Sequence, residues 1–515
     1  MDQTVILSHD IGTTGNKATL FSSEGDILGS TFYGYETFFP QVGWAEQNPF
    51  DWWKAVCVST KSLLEKTNTP NDSIACITFS GQMMGCVAVD ERGTPLQQAI
   101  IWADMRAEKE AKDLIDKVGL ESGYQITGHR ISSSYSGAKM VWLKNNQPDV
   151  YQRTYKFLQA KDFLVQRLTG VFATDFSDAS GTNLLNITTK EWSEPIIEAW
   201  GIDRDKLPPL YPSTEVIGGV TKQASEETGL LPGTPVVIGG GDGVCAAVGA
   251  GVIEEGEAFN YIGSSAWIAA ASKEPVFDPE MKTYTWIHLD SSKYSPNGTM
   301  QTGGASLQWV KEQFYQNESC SVYDVMNREA EVSNVSANKL IYLPYLLGER
   351  SPRWNPDARG AFIGLHMKHT RGDMTRAVME GVAFNLKIVL DTFLKAGLPI
   401  HHMWVLGGGA KSQVWRQILA DIYGLDVYVP GQLDEATSMG AAIAGGVGVG
   451  LLKDFSVAKD WLKRSSVHSP NPNDQMKYQE FYPIFEKAYD QLVMVYAQLN
   501  QFESGVKQYD EIKSV

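Results

Sequence analysis

With 515 residues the chain exceeds what one hydrophobic core organises, so two or three domains are expected. Its 43% hydrophobic and 20% charged residues are those of an ordinary globular protein. The net charge of -16 argues against nucleic acid and anionic membranes as partners, but not against a small anionic ligand, which senses only local charge.

The opening residues, MDQTVILSHD, lack the basic segment of a signal peptide. No stretch reaches the ~18 uninterrupted apolar residues that suggest a membrane span. Five cysteines (Cys57, Cys76, Cys86, Cys245 and Cys320) are odd in number and show no C-x-x-C spacing. They read as reduced, mostly buried thiols, so a cytoplasmic location is expected.

Residues 4–33 predict a meander of three short strands, TVILSHD, KATLFSS and DILGSTFY. Asp10 ends the first strand, and the turn Gly12-Thr13-Thr14-Gly15 follows. A plain hairpin would be served by Asn-Gly or Asp-Gly. A turn of Gly and Thr instead exposes backbone N–H groups and hydroxyls that suit phosphate oxygens. An acid beside it suits a phosphate that arrives with Mg2+. Asp10, Thr13 and Thr14 therefore read as a Mg-nucleotide grip, with Lys17 as a further cation; a surface hairpin with adaptable turn residues is the alternative.

A helix is predicted over PFDWWKAVCVSTKSLLEKT, where Trp53, Val56, Thr60 and Leu63 recur at helical spacing. The apolar strand IACITFS then ends at GQMMG, and CVAVD leads into the turn DERGTP. Mixed strands and crossover helices predict an α/β sheet covered on both faces. After these strands, FSGQMMG and IWADMRA place Gln82, Asp104 and Arg106 where a polyhydroxylated substrate needs polar partners, with Met83 and Trp102 as apolar walls. Surface loops also carry such residues idly.

Near residue 235 a second set begins. TPVVIGGGDG is a buried strand ending in glycines, and Asp242 lies among them. Gly241, Gly243 and Ala246 fit the dinucleotide spacing GxGxxA, but Asp242 would then face a pyrophosphate, which is electrostatically wrong. An acid at a strand end suits a substrate hydroxyl, whose proton it could accept. Asp242 also fits a helix N-cap, and both roles can hold together. The hairpin EAFNYIGSSAWIAAAS follows, and NYIGSSAWIAAA echoes DIGTTGNKATLF. That echo predicts a duplicated α/β domain with a cleft between copies, the boundary near 250–256 and the domains spanning 1–252 and 253–515. No Walker A pattern occurs.

Further on, HHMWVLGGGA is a strand ending in Gly408 and Gly409, which suit either a flat nucleoside or a tight packing turn. SQVWRQILADIYG is a helix capped by Ser412 and stopped by Gly424. His366 and His369 have no third ligand in view, so no metal site is expected there. QEFYPIFEKAYDQLVMVYAQLNQF is a long closing helix.

Taken together these segments resemble the FGGY carbohydrate kinases, and the resemblance runs over essentially the whole chain. DIGTTGNKATLF is similar to the family's first phosphate loop, YSGAKMVWLK to its first pattern and GAFIGLHMKHTRGDMTRAVMEG to its second. IGSSAW, TGGASLQWV, LGGGAKSQ and EATSMGAA correspond to the second phosphate loop, the nucleotide contacts and the closing helix. The resemblance implies two ribonuclease H-like domains of the actin, hexokinase and Hsp70 ATPase type, with an interdomain cleft. It implies an ATP- and Mg2+-dependent sugar kinase, with Asp10 for the metal and Asp242 as catalytic base and substrate contact. Gly12, Thr13, Thr14, Lys17, Gly263 and Ser264 would hold ATP phosphates. Gly304, Gln308, Gly408, Gly409 and Gln413 would line the nucleoside site; many relatives carry Asn in place of Gln413.

The substrate contacts would be Gln82, Met83, Trp102, Asp104 and Arg106. The layout looks closest to xylulose kinases, which imply a ketopentose such as xylulose as acceptor. Two departures bear on the sugar: Met84 stands where those enzymes usually carry His, and Gly243 where they usually carry Asn. IWADMRA is also similar to gluconate kinases, with Arg106 as a carboxylate partner, and polyol kinases of the family are a further alternative. A non-catalytic sugar and ATP sensor and a dinucleotide dehydrogenase are the readings from other classes; the presence of both Asp10 and Asp242 favours the enzyme. The resemblance leaves a homodimer open.

Overall fold

The computed structural model describes residues 4–318, 321–431 and 435–502. Val5–Ile11 (β1), Gly15–Ser22 (β2) and Ile27–Gly34 (β3) form the expected antiparallel meander. Ile74–Gly81 (β4) lies parallel to β1 on its other side. Val216–Gly219 (β5), Pro235–Val237 (β6) and Gly240–Gly241 (β7) complete this sheet, with β6 and β7 both parallel to β4.

Residues of β1 alternate between two apolar layers, as side chains of a strand must. Val5, Leu7 and Ile11 meet Trp53, Val56 and Leu63 of helix Pro49–Thr67 (α1). This helix starts where the Asn48 side chain accepts from Phe50 N–H and stops at Asn68, whose φ of 50° is left-handed. Helices Ser136–Asn146 (α2), Ala160–Thr169 (α3) and Phe176–Ser180 (α4) fill the long insertion between β4 and β5.

The second sheet starts at Ala258. Ala258–Ile262 (β8), Ala266–Ala270 (β9), Tyr284–Ile287 (β10), Tyr294–Met300 (β11), His402–Leu406 (β12), Asp426–Pro430 (β13) and Arg464–His468 (β14) lie in the order β10-β11-β9-β8-β12-β13-β14. Here β8, β9 and β11 are antiparallel neighbours, and β12 and β13 continue parallel to β8. The first sheet runs β3-β2-β1-β4-β6 in the same senses, so the echo in sequence is an echo in topology.

Asp242–Gly249 (α5) leads out of the first sheet, and Gly304–Phe314 (α6), Arg371–Lys395 (α7), Gln413–Tyr423 (α8), Ala436–Gly448 (α9) and Pro472–Gln501 (α10) follow in the second half. The caps of α8 are those expected: the Ser412 hydroxyl accepts from Trp415 N–H, and Gly424 closes the helix in a left-handed conformation. Tyr478, Phe485, Tyr489 and Tyr496 anchor α10 to the second core.

One packing feature was not legible beforehand. Although α9 belongs to the C-terminal half, it lies on the first sheet beside α5: Ile6, Cys76, Val244, Val248, Met439 and Ile443 share one cluster. The Ser8 hydroxyl donates to the Ser438 carbonyl at 2.8 Å. The approach of α5 and α9 requires glycine, because a Cβ on Gly440 would lie 1.9 Å from the Cys245 carbonyl oxygen. Ala246, Ala247 and Ala250 of this region pack on Phe259, Ala269 and Leu406 of the second sheet. The pair α5 and α9 therefore fills the space between the two sheets. Among the described residues no helix is long and apolar enough to cross a membrane. Cys57, Cys76, Cys86 and Cys245 are free thiols; Cys320 lies outside the described residues.

Candidate active site

The strand registers bring two acids together. Asp10 pairs with Ser80 across β1 and β4, and Gly240 pairs with Ser80 across β7 and β4. Asp242 follows β7 directly as the first residue of α5. Asp10 and Asp242 thus leave the same sheet edge two strands apart, roughly 10 Å in backbone spacing. Both face a cleft of about 430 Å³ shared by the two sheets, and Gly12, Met83 and Trp102 line it as well.

Two glycines help deliver Asp242 to that edge. Gly239 has φ +70°, and a Cβ there would lie 1.9 Å from the Phe79 carbonyl oxygen. A Cβ on Gly241 would lie 2.4 Å from the Met83 sulfur. At Gly239 the strand thus passes so close to the Phe79 backbone that only glycine fits. Asp242 Oδ1 accepts from Gly243 N–H at 2.7 Å, but the N-cap position belongs to Gly241, so the expected N-cap role does not hold and Asp242 is the first helical residue, facing the cleft.

The first hairpin turn directs its carbonyls inward. Gly12 N–H donates to the Gly15 carbonyl at 3.0 Å, and Tyr35 N–H to the Thr14 carbonyl at 3.2 Å. The Tyr35 hydroxyl donates to the Gly12 carbonyl, and Gln47 Nε2 to the Thr13 carbonyl at 2.6 Å. The Thr13 hydroxyl accepts from Trp102 Nε1–H at 2.9 Å. With its carbonyls occupied and Gly12 N–H bonded to Gly15, the turn leaves the remaining N–H groups of its tip as the candidates for an anion cradle. The tip of the β8–β9 hairpin repeats this. The Gly263 carbonyl accepts from Gly304 N–H at 2.7 Å, and the Ser264 carbonyl from Gly303 and Ala305 N–H at 2.9 and 3.1 Å. A Cβ on Gly304 would lie 2.5 Å from the Gly263 oxygen, so this docking also needs glycine.

Burial, and then the neighbouring Asp242 charge, push the Asp10 carboxyl up to about 7; Ser80 and Lys17 oppose this. Burial pushes Asp242 up to about 6, against the Gly243 hydrogen bond. Asp10 Oδ1 is buried with no hydrogen-bond partner. A hard cation suits such an oxygen beside a second carboxylate, and Mg2+ commonly uses one or two protein carboxylates plus phosphates and water. The residues therefore fit Mg2+, and Asp10 is the one that would hold it.

The raised value of Asp10 has a consequence for stability. Folded Asp10 keeps its proton to about pH 7, whereas the ordinary value is 3.8. Its contribution is thus greatest below the ordinary value and is lost as pH rises through 7. Without Mg2+, Asp10→Asn should raise the Tm by about 2 °C at pH 8 and leave it unchanged at pH 4. Thermal melts at the two pH values check this.

Other expected contacts stand apart from the cleft. Gln82 is buried, and its Nε2 donates to Gln47 Oε1 at 2.8 Å. Asp104 accepts from Ala45 N–H at 2.6 Å, and Arg106 pairs with Asp104 and Glu46, both at 2.7 Å. The Arg106 guanidinium also covers the Trp44 ring at 3.6 Å. Asp104 and Arg106 are thus tied to neighbouring protein groups and Gln82 Oε1 is buried without a partner, while Met83 and Trp102 line the cleft. Lys17 pairs with Glu435, which precedes α9. Gly408 faces open space, whereas a Cβ on Gly409 would lie 2.5 Å from Ile262, which makes Gly409 a packing residue. Gln308 is exposed and donates to Glu312 at 2.9 Å. Gln413 lines a separate polar hollow with Asn334, Arg376 and Asp421.

The far wall of the cleft was missed by sequence reasoning. Tyr284, Trp286, Asn297 and Thr299 line it from the second sheet, together with Arg350. Arg350 stands in the Pro-flanked segment LGERSPRWNP, a signal of an ordered loop carrying charge.

Family comparison decides the class. The family model described as "FGGY family of carbohydrate kinases, N-terminal domain" matches residues 5–249, and that of the C-terminal domain matches 258–449. The chain belongs to the FGGY family of carbohydrate kinases. It is a sugar kinase of the two-domain FGGY fold, as the resemblance implied. A xylulose kinase of Bacillus subtilis is 33% identical over 485 residues, 94% of this chain and 96% of its own. A gluconokinase of Bacillus licheniformis is 32% identical over 509 residues, 97% of this chain and 98% of its own. Solved structures of a gluconate kinase and a ligand-bound xylulose kinase, both from Lactobacillus acidophilus, each superpose with TM-score 0.91 at 27% identity, covering 96% of this FGGY chain and 99% of theirs.

Proposed function

We propose that this FGGY kinase transfers the γ-phosphate of ATP to a primary hydroxyl of a small sugar, a ketopentose such as xylulose. The observation that carries this reading is the pair Asp10 and Asp242 at one sheet edge, facing a cleft also bounded by the second sheet. Phosphoryl transfer needs positioning and charge stabilisation more than covalent chemistry. Asp242 accepts the hydroxyl proton as that oxygen attacks phosphorus; a carboxyl raised to about 6 is a better base than an ordinary one and is still ionised at pH 7. Backbone N–H groups of the two hairpin tips hold the phosphate oxygens. Mg2+, when bound at Asp10, supplies neutralising charge at the phosphates. Met83, Trp102 and Trp286 give the sugar apolar faces and exclude water, which competes for the phosphoryl group.

Arg350 favours a second reading. It lines the cleft, and its charge acts on the buried Glu349 carboxyl beside it. A carboxylate at the far end of an aldonic acid such as gluconate would satisfy it. ADP release against pentuloses, tetruloses, polyols and aldonic acids separates these readings. The ketopentose reading expects xylulose or another pentulose to stimulate most; stimulation by none of the panel would overturn the kinase reading itself. Arg350→Met adds a second discriminator. It should raise KM by about 10- to 100-fold for an aldonic acid and by less than about 10-fold for a neutral ketose.

A further inference from the structure

Beneath the cleft floor lies a charged cluster closed to solvent. Lys161 Nζ stands 2.7, 2.8 and 3.0 Å from carboxylate oxygens of Asp162, Asp175 and Asp178, and none of the four side chains is more than 1% exposed. A buried cluster of this kind is weak as a source of stability, because desolvation offsets the attraction. Its hydrogen bonds lead instead to the cleft. Asp175 Oδ2 accepts from the hydroxyls of Ser177 and Ser213 at 2.6 and 2.7 Å. Ser177 Oγ in turn accepts from Gly241 N–H at 2.9 Å, and Gly241 is the residue before Asp242. Gly240 permits this approach, since a Cβ there would lie 2.8 Å from Ser177 Oγ.

A second arm reaches Met84. Gln159 Nε2 donates to the Asp178 carbonyl at 2.6 Å, and Gln159 Oε1 accepts from Met84 N–H at 2.7 Å. Lys139 Nζ donates to the Met84 carbonyl at 2.7 Å. Met84 lines the cleft with a left-handed φ of 63°, a conformation that needs such anchoring. One buried cluster thus ties down the backbone next to two residues of the cleft, Asp242 and Met84.

We infer that Ser177 is a positioning residue for Asp242. Its single hydroxyl proton is committed to Asp175, which turns an Oγ lone pair toward Gly241 N–H and fixes the peptide from which Asp242 projects. Asp175 also caps α4 through Ser177 and Asp178 N–H. Capping explains Asp175 but not the bond from Gly241, which crosses 64 positions of sequence. The inference rests on the reading of Asp242 as base, and the test separates the two.

Ser177→Ala removes the link to Gly241 and one of the two hydroxyl bonds to Asp175, leaving the Ser213 bond and the three Lys161 contacts in place. It should lower kcat by about 10- to 100-fold, since small misplacements at a reacting group are costly, and change KM for sugar and ATP by less than about 2-fold. In an Asp242→Asn background the same change should cost little more, because aim no longer matters once the base is gone. Should Ser177→Ala not fold, Ser177→Cys keeps the volume with a poorer acceptor and serves the same comparison. Full additivity of the two substitutions, or a wild-type kcat for the Ser177 variant, overturns the inference. Near-normal turnover by Asp242→Asn alone would instead overturn the base.

Discussion

Replacing Asp242 with asparagine should lower kcat by about 10²-fold or more while sugar and nucleotide still bind. The substitution is nearly isosteric, and the amide oxygen can keep the 2.7 Å bond from Gly243 N–H. The start of α5 and its packing on α9 should therefore survive. What is lost is the capacity to take a proton, and no other described carboxylate lining the cleft except Asp10 could replace it. Turnover from ADP release and sugar affinity from calorimetry give the two readouts. Near-normal turnover would remove Asp242 from the reaction, whereas loss of sugar binding would mean that it grips the hydroxyl more than it activates it.

Asp10→Asn should act on a different variable. Asp10 carries the buried oxygen without a partner, and its proton is held up by burial and by Asp242. An amide in its place relieves the repulsion but offers a poorer ligand to a hard cation. The expected result is a half-saturating Mg2+ concentration raised by about 10-fold or more, with kcat lowered by about 10²-fold even at saturation. Activity measured across a Mg2+ series at fixed ATP checks this. An unchanged titration curve would contradict the assignment. This loss of activity would accompany the gain in metal-free stability at pH 8, a combination that general damage to the fold does not produce.

Sequence pattern revealed most where chemistry and local structure coincide. Asp10 and Asp242 were legible because an acid at the end of an apolar run, followed by glycines, is poor design for a plain turn. The α8 caps at Ser412 and Gly424 and the β8–β9 hairpin were legible for the same local reason. Strand β11 was harder: YSPNGTM carries Pro and Gly, which disfavour strands, yet pairing on both sides with β9 and β10 overrides them. Helix α7 gave no amphipathic period because it is buried nearly all round.

Loop residues were less legible because their type does not reveal which protein groups they meet. Arg106 looks like a free anion receptor in IWADMRA, but Asp104 beside it and Glu46, 60 positions away, already satisfy it. Gln82 Nε2 likewise finds Gln47, while its Oε1 is left without a partner. Arg350 was invisible because its placement in the cleft depends on the second sheet folding against the first. The same holds for α9, whose return to the first sheet is a tertiary fact about Gly440 and Ser438 rather than a pattern in EATSMGAA.

Central to this account is proton acceptance by Asp242 during phosphoryl transfer in the shared cleft. Rapid-quench measurement of sugar phosphate formation in a single turnover, over a range of pH at saturating ATP, Mg2+ and sugar, addresses it most directly. The wild-type rate constant should fall as pH drops through about 6, and the Asp242→Asn rate constant should be low and flat across that range. A variant that retains the wild-type rate and its acid limb would contradict the account.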